Sequence, residues 1–110
     1  MNLDPKSVTI KIPQKAPHLV IIRSLDSSII TSKQQLYFLK KVAENDVEYL
    51  DKLYKEKPHV YWRLIYKLKK GGFIKGRGRP YRLTEKGKAL LKIIPLVLKE
   101  EKAVKGESNA

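Results

Sequence analysis

The side chains best equipped for chemistry in this sequence are cations, and they are concentrated. Residues 57–92 hold twelve Lys and Arg and a single acid, Glu85. Arg77 and Arg79 alternate with Gly76 and Gly78 ahead of Pro80, which puts two guanidinium groups on backbone with little other side-chain bulk. Lys67, Lys69 and Lys70 follow Trp62, Arg63 and Tyr66, so basic and aromatic groups are interleaved. A guanidinium grips a phosphate or a guanine edge through two parallel N–H donors, whereas an ammonium neutralises phosphate as a point charge. Over the whole 110-residue chain, 24 Lys and Arg oppose 11 Asp and Glu, a net charge of +13. Residues 1–55 supply +3 of this and residues 56–110 supply +10. A Lys-rich surface that merely serves solubility carries Glu in balance, and this segment does not. A one-sign field of this density suits a polyanion. Nucleic acid is the expected partner, with an anionic membrane surface as the competing one.

Other chemistry is missing. With no Cys there is no disulfide, zinc cluster or thiolate nucleophile. His18 and His59 stand 41 positions apart with no carboxylate at ligand spacing beside either, so no metal and no cofactor is expected. Glu44, Asp46 and Glu48 read as a helix boundary rather than a catalytic pair, and no Ser-His-Asp arrangement is present. Residues 76–80 lack the Gly-Lys-Ser/Thr ending that a phosphate-binding loop requires. The chain is therefore not expected to be an enzyme, and the residues name no small-molecule ligand. Its longest apolar stretches are residues 19–22, and 93–98 if Pro95 is included, far short of the roughly 20 residues that span a bilayer. Asp4 and Pro5 stand where a signal peptide would need a basic start. A cytoplasmic, nucleoid-associated protein is expected.

The elements that must carry these cations follow from spacing. With 42% hydrophobic residues the chain can bury a core, and its length fits one small domain. In residues 1–30, Val8, Ile10 and Ile12 alternate with Thr9 and Lys11 as in a short half-buried strand closed by Pro13. Residues 19–25 are apolar enough for a second strand but also tolerate a helical reading. From Thr31 the signals sharpen. Ser32 and Gln35 form a capping box, and Leu36, Leu39, Val42 and Ala43 then share one helical face. Asn45 and Asp46 separate this helix from a second one, whose inward stripe is Val47, Leu50, Leu53 and Tyr54. Pro58 suits the first turn of a third helix. That helix runs over 58–70 with Tyr61, Leu64, Ile65 and Leu68 inside, and Gly71 and Gly72 stop it. The period then changes. Residues 73–75 and 81–83 read as two strands of a hairpin with a glycine-rich turn. Thr84 caps a last helix, which Pro95 should kink or end, with residues 96–98 free to resume it, and the charged tail from Lys99 should fray.

Three helices, a hairpin with a basic tip and a closing helix, in this order, describe a mainly α domain with a small β-hairpin (α+β), a winged helix-turn-helix. Residues 64–74 (LIYKLKKGGFI) and 81–91 (YRLTEKGKALL) carry the likeness. They resemble the end of the recognition helix, the wing and the following helix of regulators of the MarR, PadR and ArsR type. The resemblance covers about residues 32–91, and the Lys- and Ile-rich, Cys-free composition adds an archaeal or archaeal-virus flavour. It implies a winged helix-turn-helix domain over 31–92; outside it the residues read as an N-terminal extension over 1–30 (strands or a dimerisation arm) and a helix end with a frayed tail over 93–110. It also implies a double-stranded DNA-binding transcription regulator with its recognition helix, 58–70, in the major groove. The wing, 75–82, would lie on the backbone or in the minor groove.

The expected DNA-binding residues are His59, Trp62, Arg63, Tyr66, Lys67 and Lys70 on the helix and Lys75, Arg77, Arg79 and Arg82 on the wing. Arg63 is the candidate for bidentate base contact. Trp62 and Tyr66 either touch sugars and thymine methyls or pack half-buried against the first helix or the wing. A homodimer is expected, because Ile93, Ile94, Leu96, Val97 and Leu98, with Val8, Ile10, Ile12 and residues 19–22, exceed what a small three-helix core needs. The competing readings are a nonspecific chromatin or replication-associated DNA binder, an RNA- or ribosome-binding winged helix and a protein adaptor.

Overall fold

The computed structural model of the chain describes residues 7–25 and 27–109, with residues 99–109 described by their backbone alone. Among these the order is β1 (Thr9–Lys11), β2 (Leu19–Arg23), β3 (Ser28–Ser32), α1 (Lys33–Glu44), α2 (Val47–Glu56), α3 (Pro58–Lys70), β4 (Ile74–Lys75), β5 (Arg82–Leu83) and α4 (Glu85–Asn109). The architecture is α+β, with antiparallel sheets β1-β2-β3 and β4-β5 beside the helices.

The first sheet is the main departure from expectation. Residues 19–25, compatible with strand or helix from sequence, form β2, and β3 follows through a tight hairpin that the sequence pattern had not revealed. Val20 pairs with Thr31 and Ile22 with Ile29, and all four are buried on one face. That face joins Leu36, Phe38 and Leu39 of α1 in a single core, so the first thirty residues contribute to the packing of the helices. β3 passes without a break into α1, for Ser32 ends the strand and caps the helix, its Oγ accepting from Gln35 N–H at 3.1 Å.

α1 packs mainly on α4, and α2 on α3. The turn between α1 and α2 is locked from both sides. Asn45 adopts the left-handed conformation at φ 51°, which Asn tolerates better than most residues. Asp46 caps α2, its Oδ1 accepting from Tyr49 N–H at 3.2 Å while Lys41 Nζ donates to its Oδ2 at 3.2 Å. The Tyr49 N–H first, and the Lys41 ammonium second, hold the Asp46 carboxyl below its usual value of 3.8. A carboxylate whose pKa falls on folding stabilises the fold above its unfolded pKa, and that contribution is lost as pH drops through the folded value. The Tm difference between the native protein and Asp46→Ala should therefore be full at neutral pH and shrink steadily below pH 3.8. A difference independent of pH would show that the carboxylate charge does not matter at this cap.

Two expectations for the helices need correction. In α2 only Leu50 is fully buried; Val47 is 51% and Tyr54 44% exposed. Val47 is the first residue of the helix, and Tyr54 meets the rings of Tyr61 and Trp62 in T-shaped contacts at the surface. α4 carries Pro95 in its interior and continues past it, the resumption rather than the end of the two outcomes the sequence allowed. Ile93, Ile94 and Val97 are buried on both sides of the proline, so packing offsets the missing hydrogen bond. These three side chains fill the protein's own core, which removes most of the surplus expected at a dimer interface; Leu96 remains exposed. The tail from Lys99, expected to fray, continues in its backbone as part of α4 to Asn109. Among the described residues no helix is long and apolar enough to cross a membrane.

Candidate nucleic-acid interface

α3 sorts its residues by the helical period. Tyr61, Leu64, Ile65 and Leu68 are buried, while His59, Trp62, Arg63, Tyr66, Lys67 and Lys70 are exposed. The spacing of the exposed six, three or four residues apart, aligns them along one face of the helix. No acid occurs in α3, and Lys67, Lys69 and Lys70 crowd its last turn, where cations also meet the negative end of the helix dipole. Tyr66 is 62% exposed, and Lys70 Nζ lies 5.7 Å from its ring centre. Trp62 is 51% exposed and turns its other side to Tyr61 and Tyr54, at ring distances of 5.0 and 6.0 Å. The ring it meets outside α3 is thus Tyr54 of α2. Arg63 reaches Gln34 of α1 at 3.5 Å on the surface, a distance too long to hold the guanidinium in place.

The hairpin distributes its four cations among three settings. Lys75 and Arg82 are exposed partners across the β4–β5 register and line one groove with Ala43 of α1 and Lys88 of α4. Arg77 is exposed at the tip. Arg79 is turned back toward the helices, its Nη2 2.6 Å from Asp51 Oδ1 of α2 and its guanidinium 6.0 Å from the Tyr61 ring centre. The hydrogen bond to Asp51 raises the Arg79 pKa, and the pair lies at the surface of the protein. The sequence grouped Arg79 with Arg77. The structure gives Arg79 an anchoring contact that ties the hairpin to α2 and leaves Arg77 as the outward guanidinium.

The segment Leu83-Thr84-Glu85-Lys86-Gly87 explains how hairpin and helices keep their places. Thr84 N–H donates to Phe73 O at 3.0 Å, and Thr84 Oγ1 accepts from Gly87 N–H at 3.0 Å while donating to Gly72 O. Lys86 Nζ donates to Gly71 O at 2.9 Å and lies 4.9 Å from the Phe73 ring centre. The end of α3, the start of β4 and the start of α4 are thereby knotted at one point. Lys86 is the basic residue that sequence reasoning missed. Its position in the first turn of α4 was legible, but its meeting with the end of α3 depends on the fold.

Among the described residues no group of His, Asp or Glu is arranged to hold a metal ion. No family model, curated protein or solved structure was found to match the chain.

Proposed function

We propose that the protein is a winged helix-turn-helix regulator that binds double-stranded DNA in a sequence-specific way, with α3 in the major groove and the β4–β5 hairpin as its wing. The observation that carries this reading is the acid-free outer face of α3, where Arg63, Lys67 and Lys70 alternate with Trp62 and Tyr66 above a fully buried inner face. One helix of this diameter fills a major groove about 12 Å wide. Arg63 is the base reader, because its contact to Gln34 is weak enough to exchange for a guanine edge. Lys67 and Lys70 neutralise phosphates, and Lys75, Arg77 and Arg82 do so from the wing. Two copies related by a two-fold axis would place their α3 helices on half-sites about one helical turn apart.

Substitutions at helix and wing test this with duplexes selected from a random pool. Arg63→Ala should cost about 1–3 kcal/mol on the preferred site and erode discrimination among sites. Lys75→Ala with Arg77→Ala should weaken every duplex alike and lower the slope of log K against log salt by about one or two. Tighter binding to structured RNA than to any selected duplex would replace the DNA reading, and equal affinity for all duplexes would remove its sequence specificity.

A further inference from the structure

The outer edge of the first sheet plays no part in the reading above. β3 is an edge strand, paired with β2 on one side. The bonds that close the β2–β3 hairpin show which backbone groups β2 uses: Ser24 N–H donates to Ser27 O at 2.8 Å, and Lys33 N–H to His18 O at 3.0 Å. Antiparallel pairing alternates, so both ends agree that Ile29 and Thr31 turn their N–H and C=O toward β2. Ser28 and Ile30 turn theirs outward. The strand has none of the lysines, prolines or bulges that usually blunt an edge, and Ile30 is 70% exposed.

An open groove of about 500 Å³ runs along this edge, and its opposite wall is built from the end of α3 and the start of α4. Three ammonium groups stand on that wall, those of Lys67, Lys70 and Lys86. Lys86 is held in place by Gly71 O and the Phe73 ring, and a lysine has three donors, of which that bond uses one. None of the described residues lining the groove is acidic.

We propose that this groove docks an extended acidic segment of a partner protein. The segment adds to β3 as a further strand through the outward backbone of Ser28 and Ile30, and its carboxylates meet Lys67, Lys70 and Lys86. A bare strand edge calls for extended main chain, and three clustered ammonium groups call for anions; an acidic strand supplies both. Alternate residues of a strand point to one side about 7 Å apart, so carboxylates at every second position face the lysine wall together. A second copy of this chain offers an edge but brings a net charge of +13 and no carboxylate in Ser28–Ser32. Nucleic acid satisfies the lysines and leaves the backbone edge unused.

The test is amide hydrogen exchange and chemical-shift mapping on the full chain, titrated with an acetylated, amidated hexapeptide of alternating glutamate and valine. Exchange at Ser28 and Ile30 should slow by about tenfold or more at saturation, while Ile29 and Thr31, already bonded to β2, change little. The same peptide with glutamine for glutamate should bind about tenfold more weakly, and Lys86→Gln should weaken the acidic peptide selectively. Ile30→Pro, which removes the outward N–H without breaking a bond to β2 or changing the charge of the edge, should lower affinity for both peptides. Equal binding of the two peptides, or shifts at the lysines without slowed exchange at Ser28 and Ile30, would overturn the proposal. So would a DNA duplex that slows those two amides when the acidic peptide does not.

Discussion

Raising the salt from 50 to 200 mM should weaken duplex DNA binding by about 10³-fold if about six phosphates are neutralised, because each released counterion adds about 0.9 to the slope of log K against log salt. Six corresponds to Arg63, Lys67 and Lys70 on the outer face of α3 with Lys75, Arg77 and Arg82 on the hairpin, all exposed; Lys69 is exposed too but lies over the Tyr81 ring. Arg79 is not among them, since Asp51 already answers its charge. Asp51→Ala therefore sharpens the measurement. With its partner removed, Arg79 becomes free to join the interface, and the slope should steepen by up to about one. Fluorescence anisotropy with a labelled duplex over that salt range reads both quantities. A slope near zero for the native protein would eliminate the electrostatic basis of the DNA reading. An unchanged slope for Asp51→Ala would show that Arg79 reaches phosphate despite its carboxylate, or never does.

The helical part of this fold was legible because each boundary carries a local mechanism. Ser32 caps α1 by accepting from Gln35 N–H, Pro58 opens α3, Gly71 and Gly72 end it with Gly72 at φ 80°, and Thr84 caps α4. Such signals act over three or four residues and need no knowledge of distant partners. The β2–β3 hairpin was not legible for the opposite reason. Its strands are short apolar runs without a clear period, and the sequence between Ser24 and Ser27, whose backbones bond to each other, offers no glycine as a turn signal. Only burial of Val20, Ile22 and Ile29 in the core shared with α1 decides that they are strands.

The candidate site divides along the same line. The exposed stripe of α3 could be read directly, since helical spacing dictates which residues face away from the core. Arg79 could not, because its contact with Asp51 depends on how the hairpin folds over α2. Lys86 could not either, because its ammonium gains its place from a carbonyl fifteen positions earlier in the chain.

Gly87→Ala should be the most damaging single-methyl change to the fold. A Cβ at this position would collide with the carbonyl oxygen of Phe73 and stand 3.0 Å from its carbonyl carbon and 3.4 Å from Leu83 Cδ2. The obstacle is backbone, and it is held, because Phe73 O accepts the Thr84 N–H that joins β4 to the start of α4. Neither side can yield without breaking the contact that sets the hairpin against α3 and α4. Alanine also brings a gain, since it favours a helix over glycine by about 1 kcal/mol, but overpacking typically costs about 1–3 kcal/mol and more where backbone must move. The clash should win, with a net loss of about 2–3 kcal/mol and a Tm lower by roughly 10–20 °C for a domain of this size. Gly78→Ala is the matched control: nothing lies within 4 Å of its Cβ, and its Tm should stay near that of the native protein. Thermal unfolding followed by circular dichroism compares the two directly. If Gly87→Ala melts with Gly78→Ala, α4 does not approach β4 as closely as described, and the placement of the basic hairpin beside the helices loses its support.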